Sequence, residues 1–378
     1  MTIQEINTKL QSMVQKPHSE SETFRQYLEG IFEEYIQMLA DSRADLEQYA
    51  INTHPFEYTL GAVEESCKRI LTAYDLYMEG KIEEAISVIR VPYMAIGTAY
   101  RKEVTAANVM YRATIESAQG SFNTKEMFHV PFEKRGIISN ERYSIAGYPC
   151  LYTGKSILTC WEEMHKPNID NLCVSRLTLK KGKSYHVIDL CWRENFEEKY
   201  EGNVLSRVQL YLENLPLVIA CSIKVFAPKA HFKEEYVIPQ LLLQACINNE
   251  LVDGIAFTST RRDAQICGDI ELHKNYVFPV RKVSDRGYCE KLSNDIVMTN
   301  GVSFMEADIK NVFHGRGIPT IEIEGETLSF SEVDEGKSEY ECTKFCQMEE
   351  YLGKQKFYTL VKRDGEWEMK PESTEECR

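Results

Sequence analysis

Residues 142–165 read RYSIAGYPCLYTGKSILTCWEEMH and contain the signals of a strand, a turn and a helix in succession. A Gly-Tyr-Pro turn at 147–149 precedes a short apolar strand at 150–152, and a second turn at 154–155 precedes an amphipathic helix that begins at Ser156. An arginine, a tyrosine and a carboxylate follow one another along this unit. Because the end of the strand and the start of the helix can point into one cleft, the stretch is a candidate functional site.

Two adjacent glutamates lie on the predicted helix. At about 100° per residue, its apolar face consists of Ile157, Cys160, Trp161 and Met164. Ser156 is a suitable N-cap. Glu162 lies about 150° from the centre of the apolar face and Glu163 about 110°. We therefore expect Glu162 to be solvated and Glu163 to lie at the border of the core, where a carboxylate is either a surface charge paired with a neighbour or a half-buried functional group.

Composition restricts the class of protein. The chain has 378 residues, of which 43% are hydrophobic, so it can form a large core, and its length alone suggests two domains. A net charge of -14 argues against nucleic acid as a direct ligand, because phosphate backbones require basic surfaces. No apolar run is long enough to span a bilayer and the first ten residues are polar. We therefore expect a cytoplasmic protein with no signal peptide and no membrane anchor.

Motif searches exclude several kinds of site. The 12 cysteines include no C-x-x-C pair, and the closest two, Cys342 and Cys346, have no histidine nearby, so we expect buried reduced thiols and no metal. The letters GKS at 154–156 imitate the end of a P-loop, but Pro149 stands where that loop requires a glycine. There is no G-x-G-x-x-G and no G-x-S-x-G. His129 is either a structural hydrogen-bonding group or a general base.

The first 105 residues have helical spacing throughout. Apolar residues repeat at helical intervals over 24–50, from Leu60 to about Gly80 and over 82–91, and a further helix is predicted at 93–102. No catalytic constellation occurs among these residues. We expect a helical N-terminal domain, 1–105, that acts as a scaffold; the alternative is that it binds a partner or joins copies of the chain into a homo-oligomer.

Residues 106–297 alternate short β-rich runs with helices predicted at 204–212 and 239–248. The strands are predicted at 109–115, 150–152, 173–179, 184–189, 217–220, 223–226, 254–258 and 275–280. This mixture predicts an α+β domain with a central mixed sheet. Residues 298–378 are expected to form a C-terminal extension that either covers a sheet edge or docks on the N-terminal helices. Its predicted elements are a hairpin at 320–323 and 327–330 and a helix at 341–352.

Four short blocks resemble one family. The central block is R-Y-S-x-x-G-x-P-x-L-Y-x-x-x-S-x-x-x-x-x-x-E, from Arg142 to Glu163; the others are Tyr111-Arg112, DGIAFTSTR at 253–261 and NYVFP at 275–279. In this order they resemble the RES-domain family, which is known from bacterial toxin-antitoxin pairs and named for an arginine, a glutamate and a serine. The resemblance covers about residues 107–281 and implies a fold related to ADP-ribosyltransferases, a split mixed sheet with flanking helices.

The resemblance also implies a chemistry. Members of that family consume NAD as a substrate, by phosphorolysis or hydrolysis of the nicotinamide-ribose bond or by ADP-ribosyl transfer. Nicotinamide leaves as a neutral group and needs no acid to protonate it, so one carboxylate suffices where ordinary glycosidases need two. The alternatives to an NAD glycohydrolase or phosphorylase are an ADP-ribosyltransferase that modifies a protein, and an inactive module that binds a nucleotide or a partner. A toxin of this family would also imply an antitoxin partner that plugs the cleft.

Residue roles are carried over position by position. Glu163 corresponds to the catalytic glutamate of the family. Because Glu162 is adjacent to it, the match between the family's glutamate and this sequence is open by one residue. The other positions that the resemblance assigns are the following: Arg142 and Arg112 clamp the diphosphate, Tyr152 stacks on nicotinamide, and Ser259 and Asn275 contact the nucleotide. Each has an ordinary structural explanation: the arginines can pair with acids, the tyrosine can belong to the core, and the serine can cap a turn.

Overall fold

The computed structural model describes residues 1–49, 55–93, 101–115, 124–193, 204–263, 267–313, 320–323, 326–329 and 340–372. The helices of these ranges are α1 (Ile3–Val14), α2 (Phe24–Asp41), α3 (Arg43–Leu46), α4 (Phe56–Met78), α5 (Ile82–Tyr93), α6 (Ile157–Glu163), α7 (Val204–Ser222), α8 (Val237–Ile247), α9 (Glu290–Asp295), α10 (Phe304–Ile309) and α11 (Lys344–Gly353). None of them is both long enough and apolar enough to cross a membrane.

The strands of the described ranges are β1 (Arg101–Thr105), β2 (Met110–Ile115), β3 (Cys150–Gly154), β4 (Leu172–Leu179), β5 (Ser184–Leu190), β6 (Gly254–Thr258), β7 (Lys274–Pro279), β8 (Ile296–Thr299), β9 (Val302–Ser303), β10 (Thr320–Ile323), β11 (Glu326–Ser329), β12 (Phe357–Arg363) and β13 (Glu366–Pro371). Helices and sheet are both substantial, and strand pairs of both directions occur, which confirms the predicted α+β class.

Two compact units divide the chain, and both are discontinuous in sequence. The first consists of residues 1–103, 139–148 and 186–260, and the second of residues 104–138, 149–185 and 261–378. These units do not follow the predicted boundaries at 105 and 297, because strands that are far apart in the sequence pair with one another. The division into three consecutive domains stays a prediction about which segments fold independently.

The first unit is mainly helical. In it α4 packs against α2, α5 and α7, and α5 packs against α8, while β5 and β6 form a parallel pair with Val187 opposite Gly254. The helical prediction for this part holds for α2, α4 and α5. The predicted helix at 93–102 is wrong at its end, since residues 101–105 form a strand, and its residues 94–100 lie outside the described ranges.

The strands predicted at 217–220 and 223–226 are wrong. The first of these segments lies within α7, which continues through Pro216, and the second contains no strand. Proline removes the hydrogen bond that its position would donate to the carbonyl four residues earlier. That carbonyl, of Leu212, instead accepts a bond of 2.8 Å from the buried hydroxyl of Tyr35. A tertiary contact thus satisfies the backbone group that proline leaves unpaired, and burial of the helix outweighs the β-propensity of its residues.

The second unit contains an antiparallel sheet in the order β7-β3-β2-β4-β8-β12-β13, with β9 also paired to β4. The hairpin β10–β11 was predicted at nearly its observed position. The pair β12 and β13 was not predicted, and β12 joins the sheet beside β8 through the pairing of Tyr358 with Met298. The C-terminal extension therefore extends this sheet.

Gly287 gives a test of how the C-terminal strands pack in this unit. Its φ is +79°, and a Cβ atom there would lie 1.9 Å from Nε1 of Trp367 on β13. We expect Gly287→Ala to lower the free energy of unfolding by about 2–4 kcal/mol, because the steric cost adds to the cost of a left-handed backbone. Gly365→Ala is the matched control, since Gly365 has φ +88° but nothing within 4 Å of its Cβ position. Equal losses in chemical denaturation of the two variants would contradict the contact with Trp367.

Candidate active site

Three neighbouring strands of the second unit carry predicted site residues. Arg112 lies on β2, Tyr152 on β3 and Asn275 on β7, and these strands are adjacent in the order β7-β3-β2. Gly154 at the end of β3 pairs with Asn275 on one side and with Tyr111 on the other. The pairing therefore brings together blocks that are about 40 and 120 positions apart in the sequence.

The turn from β3 into α6 is closely packed. A Cβ atom on Gly154 would lie 2.9 Å from Sγ of Cys160, so no side chain fits there without displacement. Ser156 is buried and caps α6 as predicted: its hydroxyl accepts a 3.1 Å bond from the amide of Thr159 and donates a 2.8 Å bond to the carbonyl of Leu272. These contacts fix the start of the helix that ends at Glu163.

Glu163 contacts Asn275 and Arg261 and still reaches solvent. Its Oε1 accepts a 2.7 Å hydrogen bond from Nδ2 of the buried Asn275. Its Oε2 lies 3.4 Å from Nε of Arg261, and the side chains of Glu163 and Arg261 are each 32% exposed. A carboxylate that is oriented by an amide and open on one side suits a functional group, and its half-buried position agrees with the helical wheel.

Arg112 is a cation without a carboxylate partner among the described residues. Its guanidinium donates a 2.9 Å bond to the carbonyl of Tyr152, while its buried Nε has no hydrogen-bond partner in the described part of the chain. Burial lowers the pKa of this guanidinium from its usual value. A desolvated cation of this kind favours an anionic ligand.

The thiol of Cys160 lies close to both charged groups. Burial raises its pKa to about 12, the positive charge of Arg112 lowers it, and the negative charge of Glu163 raises it. Arg112 and Glu163, which come from different elements of the unit, therefore both act electrostatically on this thiol. The raised pKa also means that Cys160 is a protonated, inert thiol and not a nucleophile.

The helical wheel predicted that Glu162 is solvated, and this is wrong. The residue is only 1% exposed. Its Oε1 accepts a 2.9 Å bond from the amide of Asp263, and its Oε2 lies 2.9 Å from Nδ1 of the fully buried His273. The wheel fails here because segments distant in sequence cover the polar side of this short helix. Of the two glutamates, Glu163 is the one that is open to solvent.

His273 is an imidazolium. Its Nδ1 faces a carboxylate and its Nε2 lies 3.0 Å from the carbonyl of Cys267, so both ring nitrogens face acceptors and both must carry hydrogen. Burial alone would lower its pKa, but hydrogen bonds to Cys267 and Glu162 and the charge of Glu162 outweigh burial and raise the pKa to about 10. Glu162 and His273 thus form a buried ion pair.

A carboxylate from the C-terminal extension contacts the start of α6. Glu349 on α11 accepts bonds of 2.7 Å from the amide of Ile157 and 2.6 Å from the hydroxyl of Tyr340. Burial raises the pKa of Glu349 to about 7, although both hydrogen bonds act in the opposite direction. The extension therefore supports the helix that carries the candidate catalytic glutamate.

Two predicted residues lie in the first unit. The guanidinium of the buried Arg142 donates bonds of 3.1 and 2.8 Å to the carbonyls of Cys221 and Ile223 at the end of α7, and it stacks 5.1 Å from the ring centre of Tyr236. These contacts give Arg142 a structural role that the sequence did not suggest. Ser259 follows β6 and is 2% exposed.

Sequence reasoning missed Arg261 and His273 as contributors to the site. Both stand beside recognised blocks, Arg261 at the end of 253–261 and His273 two positions before Asn275, and this adjacency was the available signal. His129 was left open and is structural: it donates to the carbonyl of Val130 and accepts from the amide of Cys289, each at 2.8 Å. Burial lowers its pKa to about 4, which fits a neutral ring with both nitrogens engaged.

The chain is similar to a protein known by sequence. It is named "Putative toxin YopC", comes from Bacillus subtilis (strain 168) and is 35% identical over 193 residues. The match covers 48% of this chain and 43% of the relative, so it spans less than half of that protein's length. No family model matches the chain. No solved structure matches it either.

Proposed function

We propose that the protein is an NAD-consuming enzyme of the RES type, which breaks the nicotinamide-ribose bond by hydrolysis or phosphorolysis. The observation that carries this proposal is the setting of Glu163: a partly exposed carboxylate, oriented by Asn275, in the same unit as the cation of Arg112, which has no carboxylate partner among the described residues. The ADP-ribosyltransferase-like fold belongs to the same proposal and is supported by the four sequence blocks and the mixed sheet.

The bond that breaks joins C1 of the ribose to the pyridinium nitrogen. The electron pair of that bond moves to the nitrogen, so nicotinamide departs neutral and needs no general acid. The sugar carbon becomes an oxocarbenium-like centre, and the oxygen of water or of phosphate then bonds to it; attacking water loses one proton to solvent. Glu163 would stabilise the positive sugar, and a preorganised charge of this kind contributes about 3 kcal/mol or more.

The other residues would bind and orient the substrate. Arg112 would hold the diphosphate, which would supply the anionic partner that the described residues do not provide. Tyr152, on the adjacent strand, would stack on the nicotinamide ring. Asn275 would act through Glu163, because its amide already holds that carboxylate.

Arg142 and Ser259 are supported as nucleotide contacts by the resemblance alone. Two donors of Arg142 already bond backbone carbonyls, so we assign it to the support of α7.

The biological role that we propose for this enzyme is that of a toxin. The name of the Bacillus subtilis relative and the resemblance to RES toxins both support it. If NAD is consumed in the cytoplasm, depletion of a central cofactor would account for toxicity. An antitoxin protein that covers Glu163 and Arg112 would be the matching partner, and the exposed third of the Glu163 side chain is the surface it would have to close.

Incubation of the purified protein with NAD, with and without phosphate, tests the proposal. We expect release of nicotinamide, with ADP-ribose as the second product in water and its 1-phosphate when phosphate is the acceptor; chromatography with mass spectrometry separates the two. NAD labelled in its adenylate portion shows whether label becomes attached to protein, which would indicate ADP-ribosyl transfer. Binding of NAD in calorimetry without any nicotinamide release would sink the enzyme proposal and leave a binding module.

A further inference from the structure

The carboxylate that the proposed chemistry needs is paired with Arg261. Nε of Arg261 lies 3.4 Å from Oε2 of Glu163, and Nη1 of Arg261 contacts Nε2 of His165. A guanidinium beside a carboxylate balances part of its negative charge. A group that must stabilise a developing cation is therefore held in a state that weakens it, and binding of the substrate has to relieve that pairing.

The backbone next to Arg261 is anchored on two sides. The amide of Asp263 donates a 2.9 Å bond to the buried Glu162, and its carboxylate lies 3.0 Å from Nζ of Lys166. His273 fixes Glu162 in turn. The chain two residues after Arg261 is thus attached to the helix that carries Glu163.

The C-terminal end of α6, where this anchor lies, has an unusual backbone. His165 and Lys166, which follow α6, have φ values of 65° and 54°, in the left-handed region that residues with side chains seldom adopt. The backbone amides of His165 and Lys166 donate hydrogen bonds of 3.0 Å to the carbonyls of Glu162 and Trp161, and these bonds close the end of the helix. The conformation directs both residues towards the 261–263 segment, since His165 contacts Arg261 and Lys166 contacts Asp263.

The anchors act on Asp263, two residues further along the chain, whereas the Arg261 side chain is one-third exposed. A long, partly solvated side chain on a fixed backbone can exchange one anion for another without moving the chain. Phosphate is a strong competitor for a guanidinium, because its oxygens accept paired N–H donors.

We propose that Arg261 determines specificity for phosphate-bearing substrates: its guanidinium pairs with Glu163 in the empty site and transfers to a substrate phosphate on binding, which leaves Glu163 to face the ribose. This inference rests on the proposed function and adds to it the substrate class, pyridinium nucleotides as opposed to the phosphate-free nucleoside. A nucleoside would leave Arg261 on Glu163 and would be turned over poorly.

The test compares NAD with nicotinamide riboside, which has the same scissile bond and no phosphate. We expect Arg261→Gln to lower kcat/KM for NAD by about 10-fold to 100-fold, the size of a charge-assisted hydrogen bond. The ratio of kcat/KM for NAD to that for the riboside is expected to fall at least about 10-fold. Arg261→Lys, which keeps the charge but not the fork, should recover part of the ratio.

Arg363→Gln is the matched control, because this substitution removes the same charge from an exposed position. Arg363 forms an ion pair of 3.0 Å with Glu368. This control should leave kcat/KM unchanged for both NAD and nicotinamide riboside. An equal loss on NAD and on the riboside in Arg261→Gln would overturn the proposal, since Arg261 would then act on Glu163 or on the fold and not on phosphate.

Calorimetry with ADP-ribose gives a readout that needs no turnover. We expect binding to the wild type and at least about 10-fold weaker binding to Arg261→Gln. Equal affinity of the two proteins, or no binding to the wild type, would overturn the role of Arg261. Failure of the wild type to release nicotinamide while this affinity difference holds would instead sink the enzyme function and keep the anion site.

Discussion

Glu163→Gln is expected to reduce nicotinamide release from NAD by about 100-fold to 1,000-fold, because a neutral amide cannot stabilise the oxocarbenium-like sugar. The replacement is nearly isosteric, and its carbonyl oxygen can still accept the bond from Asn275 that is 2.7 Å long in the wild type. The loss should appear in kcat, since the interaction is made in the transition state.

The fold of that variant should be intact. Glu163 and Arg261 are both 32% exposed, so their ion pair contributes at most about 1 kcal/mol. Circular dichroism and the denaturation midpoint should therefore match the wild type. Glu350→Gln, an exposed carboxylate next to Glu349 on α11, is the control and should leave the rate unchanged. A Glu163→Gln enzyme that retains more than about a tenth of the wild-type rate would remove Glu163 from the mechanism.

His273→Ala is expected to lower the free energy of unfolding by about 3–5 kcal/mol, because it leaves the buried carboxylate of Glu162 without its counter-charge. His273 is fully buried and Glu162 is 1% exposed, so water cannot replace the missing partner. His186→Ala is the matched control: the same substitution at an exposed position should change stability by no more than about 0.5 kcal/mol. A loss below about 1 kcal/mol in His273→Ala would contradict a buried ion pair.

The ion pair of Glu162 and His273 also predicts that the free energy of unfolding depends on pH. The pKa of His273 is raised from 6.5 to about 10 in the folded protein, so the native state binds more protons than the unfolded state between these values. Its contribution to stability is complete below pH 6.5 and is lost as the pH rises towards 10. Denaturant unfolding should therefore give a smaller free energy at pH 9.5 than at pH 6.5.

Glu162→Gln should remove the part of the pH dependence of stability that comes from His273, and it should leave no buried polar group without a hydrogen-bond partner. Its amide can donate to a neutral Nδ1 of His273, its carbonyl can accept from Asp263, and Nε2 of the ring keeps its bond to Cys267. A variant in which every group stays satisfied should fold, and its unfolding free energy should fall less between the two pH values. An unchanged slope would mean that His273 does not carry the charge.

Several local features could be predicted from the sequence because they depend on neighbours along the chain. The turn at 154–155, the cap at Ser156 and the helix that begins there follow from turn residues and helical spacing, and the structure has all three. The α+β class follows equally from alternating strand-like and helix-like runs. In α7 the same local reasoning failed, since the strand propensity of residues 217–220 was outweighed by burial and by the Tyr35 hydroxyl that satisfies the Leu212 carbonyl.

By itself, the sequence determined the strand, turn and helix around residues 150–163 and identified Glu163 as the carboxylate to consider, because these depend on residue type and spacing. Only the tertiary structure decided which glutamate faces solvent, that Arg261 and Asn275 hold it, and that Arg142 supports α7. Those outcomes depend on strands and loops about 100 positions away in the chain. Helical periodicity specifies the direction of a side chain, whereas burial and charge pairing depend on which distant segment covers it.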